Sequence, residues 1–397
     1  MERGLVLLAA MLMGFAAAPV IAQGGSPPER AKWSPAEIAV LARWVEAAPL
    51  DALPSPSMRA LDAARASDEA QAIDAAADAL ALELARGHLL GAATKAERAG
   101  WNITDSDADI DLPARIDRAL AAGKLDRFFA GLAPAYPDYA VLKQALARET
   151  DAENRTTIAR NMERWRWMPQ RLGRDFIIVN AAAFKLALWR DGSHVGDWRV
   201  INGKTSTPTP VFQAEVTGVN LNPWWYVPAS IVRESVGSLI RKSPQTAKAR
   251  GYVWDASGVR QRPGPTNALG QMKLVMPNRF SVYLHDTPNK TLFEKEVRAF
   301  SHGCVRVGDA LGFAATLLDT QMTREEVDAV VATNKSTVVD LNRPLAIYIT
   351  YFTAMADDDG GVKIMPDIYR RDGRIRSVAM APAPVKPVRL AAAGGCF

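Results

Sequence analysis

The chain has 397 residues, 48% of them hydrophobic, which is enough apolar material for a sizeable core and room for two domains. Lys and Arg number 48 against 43 Asp and Glu, so the net charge of +5 is a mild bias towards acidic partners and too weak for a nucleic-acid binder. Two cysteines, Cys304 and Cys396, are too few for a disulfide-stapled scaffold.

In chain order, "MERGLVLLAAMLMGFAAAPVIAQGG" carries Arg3, an apolar run from Leu5 to Ala18 and small residues before Gln23, the pattern of a secretory signal peptide over residues 1–22. That run is shorter than the roughly 20 apolar residues of a membrane helix, so export without stable membrane insertion is expected. Residues 23–150 are Ala-rich with apolar positions at helical spacing, such as Ile38, Leu41 and Val45, then Ile73, Leu80 and Leu84. They predict a small α-helical domain, with a helix start at Ser34-Pro35. Its one histidine, His88, is expected at the surface or in a capping role.

From Phe176 the period changes to 2, in "FIIV", "FKLALWRDG" and "VGDWRVING", with Asp191-Gly192 as a hairpin turn. Further strands are predicted over 211–219, 271–276, 281–285 and 345–353, giving an α+β chain with a β-rich second domain over 151–378. His194, beside the hairpin turn, is assigned to solvent. Residues 228–265 interrupt the strands with a helix and then a loop, and are read as a lid. The lid carries Arg233, Arg241, Lys242, Arg260 and Arg262, which either form a solvated face or cover an anionic peptide, with Trp225 and Tyr226 beside them. Residues 379–397, rich in Pro and Ala, are expected to be a flexible tail.

The chemistry concentrates in "AFSHGCVRVGD", Ala299 to Asp309. If this stretch runs extended, His302, Cys304 and Arg306 share one face while Ser301, Val305 and Val307 share the other. Gly303 leaves space for a substrate backbone and lets amide groups point at an oxyanion, and Asp309 is set to cap a following helix. Cys396 lies in the Pro/Ala-rich tail, a poor disulfide partner, so Cys304 is expected to be a free, reactive thiol. In "SVYLHD", Tyr283 and His285 share a strand face, and His285 is the candidate base. Zinc held by His285, His302 and Cys304 is the competing chemistry.

A histidine, a spacer and Ser-His-Gly-Cys-hydrophobic-Arg together resemble the signature of the L,D-transpeptidases of the YkuD fold. "NMERWRWMP", "TPVF", "NPWWYVPASI", "GPTNALG", "YLHDTP", "YFTAMADDDG" and "PDIYRRD" look like the YcbB-type subgroup, which has a lid in its catalytic domain and a helical scaffold domain before it. The resemblance implies a periplasmic enzyme, probed by carbapenems and acting without metal or other cofactor. Cys304 would be the nucleophile, and His285 the base, oriented by a carbonyl near Asp286. Ser301, His302, Gly303 and Arg306 would complete the catalytic set, with the 302–304 amides as oxyanion hole. Its partners would be peptidoglycan stem peptides, held by Asp286, Tyr283, Trp225, Tyr226, Arg233, Arg260, Arg262 and Asn267. Crosslinks could be 3→3 or 1→3. The alternatives are an L,D-carboxypeptidase with water as acceptor and a non-catalytic wall-binding scaffold. A monomer is expected.

Overall fold

The structure, a computed structural model, describes residues 33–105, 110–357 and 359–384. Residues 1–22, expected to be a signal peptide, and Cys396 lie outside these residues. Seven helices form the first part: α1 (Pro35–Ala47), α2 (Arg59–Ser67), α3 (Ala70–Leu90), α4 (Leu112–Ala121), α5 (Leu125–Ala130), α6 (Pro137–Arg148) and α7 (Ala152–Arg166). The expected start of α1 is a capping box, with the Ser34 side chain accepting from the Glu37 amide and Glu37 reaching back to the Ser34 amide. Helices α1 to α5 bury one apolar cluster that includes Leu41, Leu80, Leu84, Ile116 and Phe129.

His88 is not at the surface. The last turn of α3 packs on α1, so His88 is buried with its ring edge-on to Trp44 at 5.4 Å, and burial pushes its pKa down to about 4. The spacing that made α3 amphipathic gave no sign that its final polar residue would face another helix.

The strands among the described residues are β1 (Trp101–Asn102), β2 (Phe176–Asn180), β3 (Lys185–Arg190), β4 (Ser193–Gly203), β5 (Val211–Leu221), β6 (Trp225–Tyr226), β7 (Tyr252–Asp255), β8 (Gly258–Gln261), β9 (Met272–Val275), β10 (Leu284–His285), β11 (Ala299–Ser301), β12 (Val305–Val307), β13 (Thr337–Thr350), β14 (Ala354–Ala356) and β15 (Val362–Ile364). The order β5-β13-β2-β3-β4-β12-β10-β9 closes on itself because β9 also pairs with β5. The result is a barrel, which leaves no open edge among those strands. Its core includes Ile177, Val179, Leu186, Val200, Val305 and Val307, with Phe313 from the helix Ala310–Leu317. The β3–β4 hairpin turns at Asp191 (φ 51°) and Gly192 (φ 76°), the two positive φ values that a tight turn of this hand needs.

Strand β1 had no signal in the sequence. It lies within the helical part and pairs in parallel with Val211 and Phe212 at the start of β5, so the two parts share a sheet. They also share a core, in which Ala52, Tyr139 and Leu142 meet Trp165, Phe176 and Phe352. The first tail residues are also bonded, contrary to a flexible tail from 379. Ala379 and Ala381 donate to the carbonyls of Ala52 and Pro49, and Arg155 donates to that of Ala381 at 2.7 Å.

Helix α7 carries the charges of "NMERWRWMP" into this interface. Glu163, fully buried, accepts from the Ala93 amide at 2.8 Å and the Trp167 indole at 3.0 Å, and pairs with Arg166 at 3.4 Å. Arg166 also reaches the Tyr139 hydroxyl at 2.6 Å and the Asp51 carbonyl. Arg164 pairs with Asp372 at 2.6 Å. Removing one member of such a set strands a buried charge, a loss of about 3–5 kcal/mol. Glu163→Ala is therefore expected to lower unfolding stability by about that amount while Glu163→Gln loses less. Urea titrations followed by tryptophan fluorescence measure this, and an unchanged midpoint for Glu163→Ala would contradict it.

Candidate active site

The signature is not one extended strand. Strand β11 runs parallel to β4 and β12 runs antiparallel to it, and the chain reverses its ladder between them at Gly303, whose φ is +114°. A side chain there would be strained, so glycine is required. The expected alternation of burial nevertheless survives across the kink. Ser301, Val305 and Val307 are buried, Cys304 and Arg306 are half-buried, and His302 is exposed. Asp309 caps the next helix as expected, accepting from the Gly312 amide at 3.2 Å.

The Cys304 sulfur lies 3.9 Å from the Ser281 carbonyl. The Tyr283 backbone amide and phenol both bond it, and the Trp225 indole bonds the same phenol. Burial pushes the thiol pKa up, while the Tyr283 amide, Lys273, the Tyr283 hydroxyl and Arg306 pull the other way. Cys304 is a free thiol. Lys273, which sequence reasoning did not single out, has its Nζ 4.0 Å from the Tyr283 ring centre. Its strand position directly opposite His285 is a pairing that only the register reveals.

His285 is 5% exposed and sits on β10 beside Arg306 of β12. Its Nδ1 donates to the Asp286 carbonyl, which leaves Nε2 as the unprotonated nitrogen. Burial, then the Arg306 charge, pushes its pKa down to about 3, so the ring is neutral at neutral pH. The rings of Tyr283 and His285 are 5.6 Å apart on one face, as the alternation in "SVYLHD" predicts. The sulfur's polar partners are Ser281 and Tyr283 rather than His285.

Ser301 ties the loop together, donating to the Cys304 carbonyl and accepting from the Gly303 amide at 3.1 Å. Thr209 of "TPVF" donates to the Gly303 carbonyl at 2.8 Å. The Gly303 amide is therefore engaged in this state, unlike the open oxyanion hole expected from the sequence. His302 turns outwards, its Nε2 donating to Glu234 at 2.8 Å. His285, His302 and Cys304 thus do not converge as a zinc ligand set, and no cluster among the described residues does.

Two residues expected to bind substrate are occupied within the fold. Asp286 is buried, accepting from the Gln271 amide at 2.9 Å and pairing with Lys290. Asn267 is fully buried, donating to the Pro223 and Arg262 carbonyls at 3.0 and 2.9 Å and pinning the base of the lid. Their polar side chains meet backbone groups that only the tertiary fold brings near.

The lid is more ordered than a helix and a loop. Residues 229–242 form a helix with a π-turn at Val232–Val236, followed by the short helix Pro244–Ala249 and the hairpin β7–β8, which β6 extends to three strands. "WDASG" makes this hairpin through an Asx turn, with Asp255 accepting from the Ser257 amide at 2.8 Å. Arg260 is held inside the lid by Asp255 at 2.7 Å and by the Trp224 ring. Tyr226 is 70% exposed and Trp225 buried. Arg233 lies beside Glu234 in the π-turn, and the Arg262 amide bonds the Gly251 carbonyl. The lid charge that touches the signature is acidic Glu234.

Residues 174–338 match the L,D-transpeptidase catalytic domain (YkuD) family, and residues 30–146 match the Scaffold domain family. A Haemophilus influenzae protein whose name provisionally assigns it to the L,D-transpeptidases is 32% identical over 243 residues, 55% of this chain and 48% of the relative. The chain thus spans about half the length of that relative. Among solved structures, an L,D-transpeptidase from Mycobacterium smegmatis is 14% identical, with a TM-score of 0.26 over 45% of this chain and 58% of its own. An Enterococcus faecium L,D-transpeptidase is 12% identical, with a TM-score of 0.23 over 46% and 51%. Similarity that low does not bear on activity. This chain thus carries a match to the YkuD-type L,D-transpeptidase catalytic domain over residues 174–338, preceded by a match to a scaffold domain over residues 30–146.

Proposed function

We propose that this protein is an exported, periplasmic enzyme of the lid-bearing YcbB type that crosslinks peptidoglycan stem peptides through a Cys304 acyl-enzyme. The observation that carries this is the half-buried thiol at the Gly303 kink, with Tyr283, Lys273 and Arg306 around it and the neutral His285 next to Tyr283.

In this reading the Cys304 side chain rotates to His285, whose Nε2 accepts the thiol proton as sulfur attacks the donor carbonyl. A separate base is needed because burial keeps the resting thiol protonated. The Asp286 carbonyl holds the imidazole in the tautomer that leaves Nε2 open. Oxyanion charge is met by the Cys304 amide and by the Gly303 amide once Ser301 releases it, with Lys273 and Arg306 supplying positive potential. Collapse expels the terminal D-Ala amine, which takes its proton from His285 and leaves a thioester. An amine of a neighbouring stem then attacks, gives its proton to His285 and frees the sulfur. No step calls on a metal.

The decisive experiment incubates the purified protein with tetrapeptide stems and identifies products by mass spectrometry. Crosslinked dimers are expected, at the third-residue carbonyl for 3→3 or the first for 1→3 chemistry. Tripeptides without dimers would mean an L,D-carboxypeptidase. Sacculus binding with no acylation would mean a wall-binding scaffold.

A carbapenem should add its mass to the wild type and to Cys396→Ala, but not to Cys304→Ser, whose hydroxyl is a far weaker nucleophile. EDTA should not change this. Adduct formation on Cys304→Ser, or loss of activity in EDTA restored by zinc, would overturn the cysteine mechanism.

His285→Ala should slow acylation by about 10²- to 10⁴-fold, the contribution of a positioned general base. Because the imidazole stays unprotonated down to about pH 3, its base form is present throughout the neutral range. The acylation rate of the wild type should therefore show no acid limb near pH 6 to 7, rising only at alkaline pH as Cys304 itself ionises. Stopped-flow acylation against pH reads this, and an inflection near 6.5 that vanishes in His285→Ala would contradict a neutral buried imidazole.

A further inference from the structure

The basic lid was expected to meet the substrate with its arginines, yet the lid residue at the signature is a carboxylate. Glu234 accepts from His302 Nε2 at 2.8 Å with one oxygen and lies 3.4 Å from Lys204 Nζ with the other. These contacts, with His302 first, hold its carboxyl below the usual range. Lys204 is fixed next to the nucleophile loop, since its amide donates to the Ser301 carbonyl at 2.9 Å and its own carbonyl accepts from Thr207. Gly203 lets the two segments close, because a Cβ there would come within 3.1 Å of the Gly303 Cα. Lys204 and His302 therefore form a two-donor cradle two residues from Cys304.

The backbone that delivers Glu234 is itself irregular. The Gly237 amide reaches back five residues to the Val232 carbonyl, and this π-turn inserts one extra residue into the lid helix at Glu234. A Cβ at Gly237 would sit 2.7 Å from that same carbonyl, so the glycine permits the bulge. Such turns cost helix regularity and cluster at functional sites.

We propose that Lys204 and His302 form a carboxylate-binding subsite beside Cys304, and that Glu234 fills it in the resting enzyme as a stand-in for a carboxylate of the stem peptide. This deepens, and rests on, the stem-peptide reading above. A donor stem carries carboxylates on D-Glu and diaminopimelate. Its entry exchanges one carboxylate for another in the cradle, so the substrate itself unlatches the lid, and stems lacking the charge leave Glu234 in place. Lid opening and carboxylate recognition become one event.

The test uses the full chain with Cys304→Ala, which binds without reacting, and calorimetry of a tetrapeptide stem with free or with amidated carboxylates. Adding Glu234→Gln should tighten the free stem by about 2- to 5-fold, the range of an exposed ion pair, and Lys204→Met should weaken it by a similar factor. The amidated stem should show neither change. Equal responses of the two stems, or weaker binding with Glu234→Gln, would overturn the proposal. Glutarate, a bare dicarboxylate that needs no peptide groove, tests the subsite separately. Tighter glutarate binding with Glu234→Gln supports the cradle even if no stem is bound, in which case the stem-peptide reading fails alone; unchanged glutarate binding counts against the cradle.

Discussion

The rest of the structure is referred to the buried charges of α7. Glu163, Arg164 and Arg166 leave water on a helix that is buried nearly all round, and they do so only because the scaffold and the barrel each supply partners. The Ala93 amide, the Asp51 carbonyl and Tyr139 come from the scaffold side, and Thr353 and Asp372 from the far end of the catalytic part. A buried ionic set of this kind contributes little net stability over an apolar replacement, but one missing partner is costly, so it fixes how the two parts meet. With β1 joined to β5, the helical part becomes a continuation of the barrel at the strand that closes it.

The strands that carry the signature lie further round the same barrel. β9, β10, β12 and β4 are neighbours in the barrel wall, and their register brings Lys273, His285 and Arg306 into one cross-strand row. The kink at Gly303 then leaves Cys304 half-buried between β11 and β12. Ser301 and Thr209 hold the kink from both sides by bonding the two carbonyls that the reversal exposes. The local electrostatics divide the work. Burial and then Arg306 keep His285 neutral, and the Tyr283 amide, Lys273, the Tyr283 hydroxyl and Arg306 partly offset the upward push of burial on the Cys304 thiol.

The lid completes the site from above. Its base is pinned by Asn267, and its tip is a π-turn whose Glu234 carboxylate meets His302. Trp225 links the two, since it lies at the lid base and its indole bonds the Tyr283 phenol next to the sulfur.

Much of this was legible in the sequence, because it depends on neighbours in the chain. The capping box of α1, the Asp191-Gly192 hairpin, the in-and-out alternation from Ser301 to Val307 and the shared face of Tyr283 and His285 are set by local geometry with periods of 3.6 or 2. The signature around Cys304 belongs here too, since its residues are contiguous. What depended on distant chain was not legible. His88 was given a surface or capping role because nothing in α3 shows that α1 covers it. Asp286 and Asn267 were expected as substrate contacts through the motifs that carry the resemblance, whereas their backbone partners, Gln271, Pro223 and Arg262, are recognised only when folded. Lys273 and Lys204 carried no motif of their own, and β-sheet register and a backbone bond to Ser301 gave them their places. Composition marked the lid as basic, but which charge touches the site depends on helical phase. A single π-turn, permitted by Gly237, set that phase so that Glu234 meets His302.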